Sequence, residues 1–200
     1  MPRPAGHIDE KKREAILAAA YELFLERGLK ASMVEIARRA GVSKQTLYNR
    51  FPTRIDLARA LGEQRSDAIT EPLKSGAPPQ EVLTNIAQTL LTKACVENQG
   101  RSLRGVALIS PEFPELARTI YEAGPGSSVQ RIAAWLKQQD EQGTLSVPDP
   151  LSAAEIFAGM VLGHSHLRGV LGLPHPMRQS IEDQAREAAL RFIRAYQPAP

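Results

Sequence analysis

Two hundred residues, 42% of them hydrophobic and 24% charged, are enough for a buried core without a disulfide or metal staple, and a single cysteine, Cys95, excludes an intrachain disulfide framework. No apolar run reaches the length of a membrane span, and the apolar stretch 15–25 is interrupted by Glu22 and preceded by mixed charges rather than by a basic leader, so a cytoplasmic protein without membrane contact is expected. The net charge of +3 is unevenly placed: residues 1–57 hold 11 Lys/Arg against 7 Asp/Glu, the remainder 14 against 15, which is the footprint of a nucleic-acid-binding module joined to a near-neutral body.

The chain reads as all-α. Ala, Leu, Glu, Arg and Gln dominate, and no period-2 run of β-branched residues is bounded by turns. A first helix is predicted over 9–27, with Ile16, Ala20, Leu23 and Phe24 on one face and Gly28 as its stop. Ser32 caps a second helix, with Glu35 as its capping-box partner, that ends at Gly41. Ser43 caps a third through Arg50, Phe51-Pro52-Thr53 breaks it, and Thr53 with Asp56 opens a fourth at Arg54. Ser75–Pro79 reads as a loop. Helices are then predicted over 80–96, 101–110, 114–123 and 128–142, with a break at Gly124-Pro125-Gly126 and a loop near 147–150. Two longer helices, 151–171 and 177–196, close the chain, and the tail 197–200 should fray.

The segment from Ser32 to Phe51 carries the functional signal. Ala37 is small enough for two helices to approach, Gly41 can take the positive φ of a tight turn, and Leu47 anchors the third helix, with Ile36, Ala40, Val42 and Phe51 completing a small core. Two short helices joined by such a turn fit a helix-turn-helix. With Leu47 and Phe51 inward, Lys44, Gln45, Thr46, Tyr48, Asn49 and Arg50 are left for a polar outer face. Gln and Asn can pair bidentately with adenine, Lys and Arg reach guanine or phosphate, and a Tyr hydroxyl can bind phosphate. The N-terminal amides of the second and fourth helices are further phosphate ligands.

Residues 10–57, with AILAAAYELFLERG followed by SMVEIARRAGVSKQTLYNRFPTRIDL, resemble the N-terminal domain of TetR-family regulators. The resemblance implies a three-helix domain with Ser43–Arg50 as recognition helix, phosphate contacts from Thr46, Tyr48 and Arg54, and double-stranded operator DNA as partner. Gln45 and Arg50 depart from the family's usual residues, so the operator cannot be inherited. Gln45 and Asn49, then Lys44, are the expected base readers. Residues 101–172, with Phe113-Pro114-Glu115-Leu116-Ala117 and the later glycine-spaced helix, are similar to the AefR-like branch.

A helix-turn-helix domain over 1–55 and a helical ligand-binding and dimerisation domain over 56–200 are expected. In the last two helices Ile156, Phe157, Met160, Val161, His164, Leu167 and Leu171 form one stripe, and Ile181, Ala185, Ala188, Ala189, Phe192 and Ile193 another. Together they suit a four-helix homodimer interface. Leu83, Ile86, Leu90, Tyr121, Trp135 and His164 are candidate lining of a pocket for a small amphipathic or hydrophobic ligand. His164 and His166 diverge on a helix, so no metal is expected, nor any cofactor, and Cys95 reads as a packed thiol. The implied activity is repression released when ligand tilts the fourth helix. The alternative is a constitutive or activating DNA-binding regulator without an inducer. An enzyme is disfavoured, since no nucleophile-base pair, phosphate loop or paired carboxylates appear.

Overall fold

Three helices of the N-terminal third begin where a side-chain oxygen satisfies their first amides. The computed structural model describes residues 5–28, 31–97, 101–174 and 179–198, and every element among them is helical. Helix α1 spans Ala5–Arg27, α2 Met33–Arg39, α3 Lys44–Arg50 and α4 Arg54–Thr70. At α2 the Ser32 hydroxyl accepts from the Glu35 amide at 3.2 Å, while the Ser32 amide donates to the Glu35 carboxylate at 2.8 Å. The same reciprocal box closes at α4, where Thr53 and Asp56 exchange bonds of 3.1 Å in both directions. Gly41 turns the chain from α2 into α3 at φ +66°. Left-handed backbone of this kind favours glycine.

These four helices enclose a first core of Ile16, Leu17, Leu23, Ile36, Ala37, Leu47, Phe51 and Leu57, all buried. The expected junction between residues 55 and 56 falls in the first turn of α4. That helix serves both halves of the molecule, with Leu57 and Ala60 in the first core and Ile69 in the second.

A single 3-10 turn, Glu71–Lys74, leads from α4 to α5 (Pro79–Leu91), which runs on as a π turn over Thr92–Glu97. Then come α6 (Arg101–Ile109), α7 (Pro114–Tyr121), α8 (Ser127–Glu141), α9 (Pro150–Leu162), α10 (Ser165–Leu171) and α11 (Ile181–Ala195). The second core lies among α5, α8, α9 and α11. Leu83, Ile86, Leu136, Phe157 and Phe192 are each fully buried there, and the Phe157 and Phe192 rings meet edge to face at 5.2 Å. The α8–α9 loop is tied down by Ser146, whose amide donates to the Tyr196 carbonyl at 2.8 Å. Among the described residues no helix is long and apolar enough to cross a membrane.

Helix α1 begins at Ala5, four residues before the expected start, and three further boundaries differ from the sequence expectation. Gly124-Pro125-Gly126 does not break the chain. It is carried in a π turn, Glu122–Gly126, that joins α7 to α8. The wide turn makes room for Pro125, whose ring in a regular α turn would meet the Tyr121 carbonyl. The helix expected over 151–171 is interrupted at Gly163, at φ +45° and ψ −134°, so α9 and α10 are separate elements with His164 at their junction. The last helix begins at Ile181, because Ser180 accepts from the Asp183 amide at 3.0 Å. The earlier start expected at Met177 lies outside the described residues.

Candidate nucleic-acid interface

Helix α3 has one buried side chain, Leu47. Lys44, Gln45, Tyr48 and Asn49 are exposed along its outer side. Gln45 Nε2 donates to Asn49 Oδ1 at 3.2 Å, so the two expected base readers stand one helical turn apart and touch. Gln45 keeps its carbonyl and one N–H beyond that bond, which is the pair an adenine edge requires. Thr46 is half-buried: its amide donates to the Ser43 hydroxyl at 3.0 Å, and the two hydroxyls lie 2.9 Å apart. Its hydroxyl therefore supports the cap of α3 as well as facing outward. Arg54 is half-buried at the first position of α4, beside the cap formed by Thr53.

Arg50 is placed apart from that exposed row. Its guanidinium forms an ion pair with Asp9 of α1, and its side chain is only 17% exposed. Arg50 stands three residues beyond the core residue Leu47, so it lies on a neighbouring part of the helix face. That spacing was the available signal. Asp9 thereby ties α1 to the end of α3.

Ion pairs hold α1 against α2. Arg39 binds Glu26 at 2.6 and 3.1 Å, and Arg27 binds Glu35 at 2.6 Å. The hydrogen bond from Arg39 holds the Glu26 carboxyl below its ordinary range, and the Ser32 amide and hydroxyl do the same for Glu35. Arg38 is exposed on α2, next to the paired Arg39, and is a cation the sequence reading passed over.

The body residues singled out from sequence separate into two groups. Of the six candidate pocket residues, Leu83, Ile86 and Trp135 are buried in the second core, and Leu90 packs against it. Tyr121 and His164 are exposed. The apolar face of α5 is covered by α9 and α11. Tyr121 instead borders an open cleft of about 280 Å³ with Glu122, Gly126, Ser127, Val129, Gln130 and Glu155. A larger polar groove, about 500 Å³, runs along Asn85, Gln88, Thr89 and Lys93.

The expected interface stripes divide in the same way. Phe157, Val161, Ala185, Ala189 and Phe192 are buried in the protomer's own core, where α9 and α11 pack on each other and on α5. Met160, His164 and Leu171 remain outside, together with Ile156 and Leu167. Cys95 is half-buried, and burial pushes its thiol up, with a weaker opposing effect from Ser165, so the protonated, packed thiol is the form favoured at neutral pH.

Residues 16–61 match the family described as bacterial regulatory proteins, tetR family, and residues 81–198 match the AefR-like transcriptional repressor C-terminal domain. A crystal structure described as a TetR-family transcriptional regulator from Mesorhizobium loti superimposes with a TM-score of 0.76 at 25% identity, covering 95% of this chain and 98% of that one. The flavonoid-responsive regulator FrrA is 34% identical, with a TM-score of 0.67, covering 96% of this chain and all of that one. The transcriptional activator FasR of Mycolicibacterium smegmatis is 42% identical over 59 residues, which are 29% of this chain and 27% of that protein. The two family matches and the superpositions extend over nearly all of the chain, and the chain belongs to the TetR family of DNA-binding transcriptional regulators, with a C-terminal domain of the AefR-like class.

Proposed function

We propose that the chain works in the cytoplasm as a homodimeric repressor that reads operator DNA with α3 and leaves it when a small ligand binds the body. The observation that carries the DNA-reading part is the exposed row Lys44, Gln45, Tyr48 and Asn49 on a helix whose one buried side chain is Leu47. Repression accords with the AefR-like class of the C-terminal domain. The resemblance to FasR spans too little of either chain to bear on the sign of regulation. Ile156 and Met160 on α9, with Leu167 and Leu171 on α10, are 39–62% exposed and give a second copy an apolar surface to cover. A two-fold dimer would set two recognition helices about 34–36 Å apart, or a multiple of that, on a near-palindromic site. The similarity to a flavonoid-responsive regulator favours a planar phenolic ligand.

Selection of bound duplexes from genomic DNA, followed by footprinting with and without flavonoids, tests the proposal. A protected near-palindrome that is released by such a compound is expected. Protection that no compound relieves would remove ligand control and leave constitutive binding. Coupling between ligand and DNA is reciprocal and typically about 1–3 kcal/mol, so operator DNA should weaken ligand binding by the same factor.

Two substitutions separate reading from gripping. Gln45→Ala should cost about 1–3 kcal/mol at the base pair it reads, with a smaller change at the pair read by its partner Asn49 and little elsewhere. Equal loss on every sequence would remove Gln45 from the reading set. Arg54→Ala should weaken binding to all sequences alike and lower the slope of log affinity against log salt by about one. An unchanged slope would take Arg54 off the phosphates.

A further inference from the structure

Helix α4 meets the α7–α8 junction along Gly62, Ser66 and Thr70, which are spaced four residues apart and all buried. A Cβ on Gly62 would stand 2.9 Å from Ala123 Cβ, 3.0 Å from the Ala123 carbonyl carbon and 3.0 Å from the Gly124 amide nitrogen. Two of these three obstacles are backbone, so no side-chain rotation clears them. They belong to the π turn Glu122–Gly126. One turn further along, Ser128 donates to the Ser66 hydroxyl at 3.1 Å, with both residues buried. Beyond that, Arg131 binds Asp67 at 2.5 Å and donates to the Thr70 hydroxyl at 3.1 Å. The lower half of α4 is therefore clamped by polar bonds, and its middle rests directly on backbone.

We propose that Gly62 is a positioning residue for DNA binding: its contact with the π turn sets the tilt of α4 and through it the presentation of α3. The proposal rests on the DNA-binding reading above. The geometry gives the contact leverage. At about 1.5 Å per residue, Gly62 lies about 12 Å from Arg54 and about 12 Å from Thr70. With α4 held at Ser66–Thr70, a displacement at Gly62 is roughly doubled at Arg54. The first core, with Leu47 of α3 packed in the same cluster as Leu57 of α4, moves with that end.

The experiment compares Gly62→Ala, the double variant Gly62→Ala with Ala123→Gly, and Ser128→Ala with the parent. Each carries Cys95→Ser and spin labels on cysteines placed at Ala18 of α1 and Ala134 of α8, both exposed positions. The readouts are label separation, thermal unfolding, and affinity for a duplex selected with the parent. Gly62→Ala should fold, shift the separation by about 1–2 Å and weaken DNA binding about tenfold. Ala123→Gly removes the nearest obstacle and should restore part of both. Ser128→Ala introduces no clash but loosens the clamp, so it should broaden the separation and lower affinity.

A folded Gly62→Ala with unchanged separation and affinity overturns the proposal, and so does a lower melting temperature with no change in separation. If Gly62→Ala does not fold, an unaltered separation in folded Ser128→Ala overturns it. Failure of the parent to bind any selected duplex would instead count against the DNA-binding reading, and the separation would still report on the seam.

Discussion

Leu47→Ala should destabilise the N-terminal domain by about 2–5 kcal/mol, the range for emptying a buried leucine site. Leu47 is fully buried and is the only buried side chain of α3. A helix of seven residues has too few internal hydrogen bonds to persist without tertiary contacts. Total stabilities of about 5–15 kcal/mol leave little reserve against such a loss. Denaturant unfolding should therefore show an early transition for this domain while the second core, which shares no residue with Leu47, unfolds near its usual midpoint. DNA binding should disappear together with the early transition. A variant that unfolds like the parent and still binds would show that α3 is held by something other than this anchor.

Met160→Glu tests the dimer with an effect as large. Met160 is 39% exposed, so the substitution leaves the protomer's core intact and its circular dichroism should be unchanged. In a two-fold interface it would place two carboxylates, one from each copy, among Ile156, Leu167 and Leu171. Burying such groups without partners costs several kcal/mol. The variant should therefore run as a monomer in light scattering. A monomer loses the linked second half-site, which typically strengthens binding by about 10²–10⁴-fold. A dimeric variant with parental operator affinity would move the interface away from this face.

The caps were the most legible part of the fold. Ser32 with Glu35, Ser43, and Thr53 with Asp56 act over three residues, and local chemistry decides them. The outward row on α3 was legible for the same reason, as the complement of Leu47 and Phe51. What escaped was set by distant partners. Arg50 turns toward Asp9, which lies some forty residues earlier in the chain. Phe157 and Phe192 read as interface, whereas their mutual contact and full burial place them inside the protomer. Gly163 has a spacing that a continuous helix tolerates, and only its left-handed backbone reveals the break. The surroundings of Leu83 and Ile86 were the least legible, since apolar residues on α5 have the same pattern whatever they face.

The bond between Gln45 and Asn49 has a consequence for how such a regulator changes targets over evolutionary time. Two amides that orient each other do not drift separately. Replacing one frees the other to take a new rotamer, so a single codon change can alter preference at two neighbouring base pairs at once. Intermediates that recognise neither the old site nor the new one are then fewer, and a duplicated copy could acquire a distinct operator in a few steps. Measured as a double-substitution cycle, the two positions should be non-additive by about 0.5–3 kcal/mol, the range for residues in direct contact.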